Sequence, residues 1–273
     1  MTILQSIILG IIQGLTEFIP ISSSAHLVLA PALFGWYIPE HQIFTFDVLV
    51  QMGTLVAVIF YFWRDLTSIF QAFWNGLVNR KPFETFYSRL GWYLILATIP
   101  AGIAGVVLKK SVEGVFNTPS ATAGLLFVTA VLLLIAEYIG KRMRPLETLN
   151  WKDALIIGAT QILALFPGIS RSGATIAGGM SRHFSRQAAA RFSFLMSIPI
   201  MFAAGVLEAK ELTELPDLIT FLPIVLIGFV TSAIVGYFSI HWLLTFLGKR
   251  SLTAFAVYCA LAGAFSLLIL YVR

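Results

Sequence analysis

Residues 14–26 read GLTEFIPISSSAH, and with Gln13 they bring an amide, a carboxylate, three hydroxyls and an imidazole into strongly apolar surroundings. Gln13 and Glu17 are four apart, so on a helix they share a face and can offer an amide oxygen and a carboxylate to one cation. Mg²⁺ suits such a pair, since it is commonly held by one or two carboxylates with water and phosphate oxygens completing its shell. Pro20 stops that helix. Ser22, Ser23 and Ser24 then fall where a second helix begins, either as caps or as ligands of an anion drawn by free N–H groups and the helix dipole. His26, one turn on, can donate, accept or attack near neutral pH. A second stretch, FPGISRSGAT at 166–175, breaks at Pro167 and Gly168 and presents Ser170, Arg171, Ser172 and Thr175, with Gly173 allowing close backbone approach. A guanidinium is permanently charged and grips two oxygens at once, so Arg171 is the counter-charge that a phosphate needs.

The elements that must position these groups belong to a membrane protein. The chain of 273 residues is 58% hydrophobic and 11% charged, with a mean hydropathy of +0.89, whereas about a quarter of a soluble domain is charged. The net charge of +5 would suit a nucleic-acid partner only if the cations formed a face; they lie instead in short loops between apolar runs, where they report membrane orientation. Cys259 is the single cysteine, so no intrachain disulfide forms. No basic n-region or cleavage site opens the chain, so Met1 onward is expected to be retained. Runs at 44–63, 92–108, 119–139, 190–207, 221–240 and 252–272 are long enough to cross an apolar core of about 30 Å. Trp63, Trp92, Tyr138 and Tyr271 fall near their ends, as an aromatic belt requires. Two further apolar regions, 4–34 and 151–187, are each broken by Pro, Gly and hydroxyls into halves too short to cross, and so predict re-entrant helix-loop-helix hairpins. The stretch 64–91 is expected to be a loop.

One hairpin can be laid on the other. Gly10, Gln13, Phe18, Ile21, Ser22 and Ser24 match Gly158, Gln161, Phe166, Ile169, Ser170 and Ser172 at one offset of 148 residues, and Phe44 and Phe46 continue onto Phe192 and Phe194. The expected fold is an all-α integral membrane domain of about six spans plus two re-entrant hairpins. Its halves, approximately 1–140 and 150–273, form an inverted-topology repeat with the site near the bilayer midplane. Of the 18 Lys and Arg, Lys109, Lys110, Lys210 and Arg273 fall on the side of the N-terminus and the rest opposite. The basic side is expected to be cytoplasmic, with both termini outside and the first hairpin entering from outside.

QGLTEFIPISSSAH and PGISRSGAT together resemble the two signature motifs of the bacterial undecaprenyl pyrophosphate phosphatases, the bacitracin-resistance family, and FSFLMSIP at 192–199 extends the likeness over the whole chain. The resemblance implies an enzyme of the bacterial inner membrane that removes one phosphate from undecaprenyl pyrophosphate. It thereby recycles the lipid carrier for peptidoglycan and other envelope polymers, usually with Mg²⁺ or Ca²⁺. Gln13 and Glu17 match the family's (Glu/Gln)-x-x-x-Glu element, Ser22, Ser23 and His26 its serine-histidine element, and Ser170, Arg171 and Thr175 its second motif. Because the first acidic position is Gln13, Glu17 is the principal acidic metal ligand. The resulting expectation makes Glu17, Ser23, His26 and Arg171 catalytic. Ser22, Ser24, Ser170, Arg171, Ser172 and Thr175 bind phosphate, and Gln13 and Glu17 hold the cation. The attacking group is left open among Ser23 activated by His26, His26 itself and a metal-bound water. The partners are the polyprenyl lipid and the surrounding membrane, with a homodimer left open. A polyprenyl-phosphate transporter or flippase is the rival reading, which broken helices suit equally, although transport needs no nucleophile beside its arginine.

Overall fold

The structure, a computed structural model, describes all residues except 117, 214–217 and 273, and all side chains except those and 40, 41, 43–45, 109, 113, 116 and 207–220. The side chains of Phe44, Lys109, Lys210 and Arg273, used above in the repeat and the charge count, therefore lie outside the description. The described residues are helical almost throughout, with no named strand.

The chain begins with α1 (Ile3–Thr16), whose N-terminus is closed by a reciprocal pair of hydrogen bonds between Thr2 and Gln5. Pro20 interrupts it, and α2 (Ser23–Phe34) follows, capped by Ser22 and ended by Gly35 in the left-handed region, where only a residue without a Cβ sits freely. Next come α3 (Glu40–Tyr61) and α4 (Trp63–Val78), which meet at a 75° bend. The helices α5 (Phe86–Phe116) and α6 (Pro119–Ile139) complete the first half, the latter opened by Pro119 in its first turn. After a short 3₁₀ turn come α7 (Trp151–Thr160), a 3₁₀ segment Gln161–Leu165, and α8 (Arg171–Ser181), capped by Ser170. The remainder is α9 (Arg186–Thr213), α10 (Leu218–Leu247) and α11 (Thr253–Val272). Five of these helices are long and apolar enough to cross a membrane, and the bent pair α3–α4 supplies a sixth candidate. Regions 4–34 and 151–187 are broken helices, as the proline and glycine positions predict.

The stretch 64–91 differs from expectation. It is not a loop: α4 fills most of it and α5 starts at Phe86. Arg64, Asp65, Gln71 and Asn75 lower its average hydropathy, yet Ile69 and Gly76 are buried against α5 while Trp63, Phe70, Trp74 and Val78 are exposed. Bent by 75° from a spanning helix, with aromatic rings on its free side, α4 has the form of a helix lying along the membrane surface.

Lipid gives helices no hydrophobic reason to associate, so close packing at small residues must do it. Here α1 packs on α10 and α7 packs on α5. At the first contact a Cβ on Gly10 would stand 2.8 Å from the Gly228 carbonyl oxygen; at the second, one on Gly158 would stand 2.3 Å from that of Ala97. These are the two glycines that the sequence offset pairs. Phe18, Phe46, Phe192 and Phe194 are fully buried, Phe18 meeting Phe194 edge-on at 5.3 Å. At one end of the bundle, Glu137 holds Arg142 and Arg186 and accepts the Leu252 N–H, Asp153 holds Arg144 and Arg182, and Asp65 holds Arg191. Arg182 and Arg186 are thus ion-paired rather than reaching freely to the interface.

Candidate active site

Both breaks are built alike. Ser22 Oγ accepts the Ala25 N–H at 3.4 Å and lies 3.2 Å from Ser24 Oγ; Ser170 Oγ accepts the Gly173 N–H at 3.0 Å and lies 3.1 Å from Ser172 Oγ. Each break thus ends in a serine cap that leaves the first N–H groups of α2 and α8 free of helical partners. They differ in strain. Ser22 has φ 72°, a left-handed conformation uncommon for a residue with a side chain, whereas in the second break Gly168 takes the positive φ.

The breaks meet at Glu17. Its Oε1 accepts from Arg171 Nη2 at 2.8 Å, across 154 residues of sequence, and its Oε2 accepts from Ser23 Oγ at 2.6 Å and Gln13 Nε2 at 2.9 Å. The Gln13 amide also approaches Thr54 Oγ1 at 3.4 Å. Three donors, from α1, α2 and α8, therefore converge on one carboxylate whose side chain is only 5% exposed, and Thr54 of α3 stands behind one of them. The geometry has a gap: Arg171 Nη1 is buried and has no hydrogen-bond partner, although a guanidinium carries donors on both faces of its fork.

Other expected residues do not touch Glu17. His26 does not reach Ser23. Its Nδ1 is 2.7 Å from the Ser22 carbonyl oxygen, which can only accept, so Nδ1 carries the proton. Its Nε2 lies 2.8 Å from the Tyr258 hydroxyl, and both ring nitrogens are thereby occupied. Thr175 is buried; its hydroxyl meets the Arg171 carbonyl at 2.8 Å and Ser193 Oγ at 2.6 Å, bracing the first turn of α8 behind the guanidinium. Ser170 and Ser172 are each 1% exposed. The Ser170 N–H donates to Thr129 Oγ1, which itself donates to the Gly168 carbonyl, and Ser172 Oγ donates weakly to the Ile19 carbonyl of the other break. These three side chains shape the second break. The exposed edge of the site is Ser23, Ser24, His26 and Arg171, all half-buried. Thr54, Thr129 and Tyr258 carry no signal in the sequence, because each is a lone hydroxyl within an apolar helix and only the fold brings it to a break; Ser193 lies in FSFLMSIP, where the sequence marked a likeness but no role.

A divalent cation can be tested against this donor set. Among the described residues no group of three or more His, Cys, Asp or Glu is placed to hold a metal. Glu17 is the single carboxylate of the site and Ser23 Oγ adjoins it, whereas Gln13 turns its Nε2 toward Glu17 and not the amide oxygen expected of a ligand. That set fits a hard cation sharing one protein carboxylate with phosphate oxygens, and does not fit an all-protein cage.

The chain is similar to known proteins over nearly its whole length. A family model described as bacitracin resistance protein BacA matches residues 6–265. The chain is 45% identical over 280 residues to an undecaprenyl-diphosphatase of Chloroherpeton thalassium, covering 99% of this chain and 97% of that one. It is 43% identical over 270 residues to one of Myxococcus xanthus, with coverage of 99% and 90%, and 42% identical over 281 residues to one of Thermomicrobium roseum, with coverage of 98% of both.

Proposed function

Since this chain belongs to the bacitracin resistance protein BacA family, we propose that it is an undecaprenyl-diphosphatase whose chemistry takes place where the two broken helices meet. The observation that carries this reading is the unpaired Nη1 of Arg171, a buried cationic donor beside a serine that is hydrogen-bonded to a carboxylate. Such a donor is costly to leave unmade, and a phosphate oxygen satisfies it.

The pyrophosphate binds between Arg171 and the free N–H groups at the starts of α2 and α8. Ser23 attacks the terminal phosphorus. As the Oγ–P bond forms, the Ser23 proton passes to Glu17 Oε2, 2.6 Å away, and the P–O bond to the bridging oxygen breaks, releasing undecaprenyl phosphate. Water then attacks the phosphoserine: its O–P bond forms as the P–Oγ bond breaks, Ser23 Oγ takes back the proton held by Glu17, and the water's protons leave with inorganic phosphate. Ser23 is favoured over His26 as nucleophile because both imidazole nitrogens are held by Ser22 and Tyr258. Glu17 and Ser23, joined by Gln13 once its amide turns to present its oxygen, would hold Mg²⁺ or Ca²⁺ together with the substrate, and a cation bound there would supply charge neutralisation to the phosphate oxygens.

The topology proposed is that of the charge count: termini outside the bacterial inner membrane, the first break entering from outside and the second from the cytoplasm, the ion-paired end of the bundle being cytoplasmic. The two breaks are halves of an inverted repeat. Reciprocal packing of α1 on α10 and α7 on α5, the matching serine caps and the glycine contacts support that reading. The site then opens outward, and the prenyl tail lies between apolar helices. Release of inorganic phosphate from a prenyl pyrophosphate by the purified protein, lost in Ser23→Ala, tests the activity. Capture of a phosphoserine at position 23 in acid-quenched enzyme tests the nucleophile; turnover by Ser23→Ala at the parent rate refutes it.

A further inference from the structure

The amide of Gln161 is 97% removed from solvent (3% exposed), and neither its Nε2 nor its Oε1 has a hydrogen-bond partner. Buried donors and acceptors are rarely left without a partner, because an unmade hydrogen bond costs stability, so both atoms of this amide are open to a ligand. The repeat relates it to the site. By the offset that overlays the breaks, Gln161 corresponds to Gln13, which donates to Glu17 at 2.9 Å in the middle of the site. In the second break Leu165 stands where Glu17 stands in the first, so the amide of Gln161 has no carboxylate to bond. Arg171 stands where Ser23 stands, and its Nη1 is also unpaired. The second break therefore carries one cationic donor and one amide, both buried and unmade, where the first break carries a closed network around Glu17.

We propose that Gln161 is a substrate-binding residue of this site, donating from Nε2 to an oxygen of the pyrophosphate held by Arg171. The first break then supplies the reacting groups, and the second supplies the neutral and charged donors that grip the ligand. This inference rests on the phosphatase reading, and binding is the property to measure, because it separates the two.

The test uses the full-length protein in detergent and a farnesyl methylenebisphosphonate, which carries the charge of a prenyl pyrophosphate and cannot be hydrolysed. Affinity is measured by titration, and thermal midpoints are taken without ligand. Gln161→Met, close in length and free of unpaired polar atoms, is expected to bind about tenfold or more weakly while melting at or above the parent temperature. In turnover of a cleavable prenyl pyrophosphate its KM rises by a similar factor. Gln161→Glu, which sets a carboxylate against the phosphate, is expected to bind more weakly still and serves if the methionine variant does not fold. Parent affinity in both variants overturns the role of Gln161 alone. A lowered melting point with unchanged affinity does the same, since it marks an amide bridged by water for packing. A parent protein that does not bind the bisphosphonate overturns the phosphatase reading and this inference together.

Discussion

Arg171→Lys keeps the charge and removes the fork. In the structure Nη2 is committed to Glu17 at 2.8 Å while Nη1 is free, so one side chain serves two acceptors in different directions. A lysine ammonium can be placed at one of them. The substitution therefore removes one charge-assisted hydrogen bond from a site where the Arg171 and Glu17 side chains are 18% and 5% exposed, worth about 2–3 kcal/mol. At 1.36 kcal/mol per tenfold, kcat/KM should fall by about 30- to 160-fold. Stability should change little, because Glu17 still has a cation beside it. Arg171→Ala is different: it leaves a buried carboxylate without its partner, a change of about 3–5 kcal/mol in folding stability, and adding Glu17→Gln should restore the fold without restoring turnover. The assay is phosphate release over a range of prenyl pyrophosphate concentrations, paired with thermal unfolding in detergent. A lysine variant within about threefold of the parent would refute the two-acceptor argument. So would an Arg171→Ala/Glu17→Gln protein no more stable than Arg171→Ala.

Glu17→Gln alone should abolish turnover with the fold retained, since an amide cannot take the Ser23 proton; added Mg²⁺ or Ca²⁺ should not rescue it, and chelator should inactivate the parent. Gly158→Ala places a methyl group 2.3 Å from the Ala97 carbonyl oxygen and should destabilise by about 1–3 kcal/mol, read as a lowered melting temperature, with Gly10→Ala milder. Asp153, at the first turn of α7 outside the spans, is raised by burial but brought below its ordinary value overall by hydrogen bonds from Arg144 and Arg182. Its contribution is complete above the ordinary aspartate range and lost as pH falls through the depressed value, so the loss of parent stability as pH drops below the ordinary aspartate value of about 4 should shrink in Asp153→Asn. For topology, Glu147→Cys should be labelled only from the cytoplasm and Thr118→Cys only from outside, and buried Cys259 should give no background.

The spans and the breaks were legible because lipid allows few alternatives: long apolar runs must be helices, and Pro20 or Pro167 with Gly168 must end one. The pairing of Glu17 with Arg171 was legible for a related reason, since each is an ionisable group inside the membrane that needs a partner. The finer contacts were not. Proximity in sequence pointed to His26 as the partner of Ser23, but α2 starts at Ser23 itself, so the imidazole one turn on folds back to the Ser22 carbonyl while the hydroxyl faces Glu17. Tyr258 lies 232 residues from His26, and a tyrosine in an apolar helix carries no mark of its partner. Helix α4 was hidden by average hydropathy, although the spacing of Ile69, Phe70, Phe73, Trp74 and Leu77 carries a helical period.

The Glu17–Arg171 pair also bears on how the protein sits in an energised membrane. A voltage does about 2.3 kcal/mol of work per 100 mV on a unit charge carried fully across. These two charges of opposite sign lie 2.8 Å apart, under a tenth of an apolar core about 30 Å thick, so 100 mV acts on the pair by only about 0.2 kcal/mol. The resting site is electrically silent, and with the site at the depth proposed above, the net negative charge that a pyrophosphate brings would make substrate entry the step on which membrane potential acts.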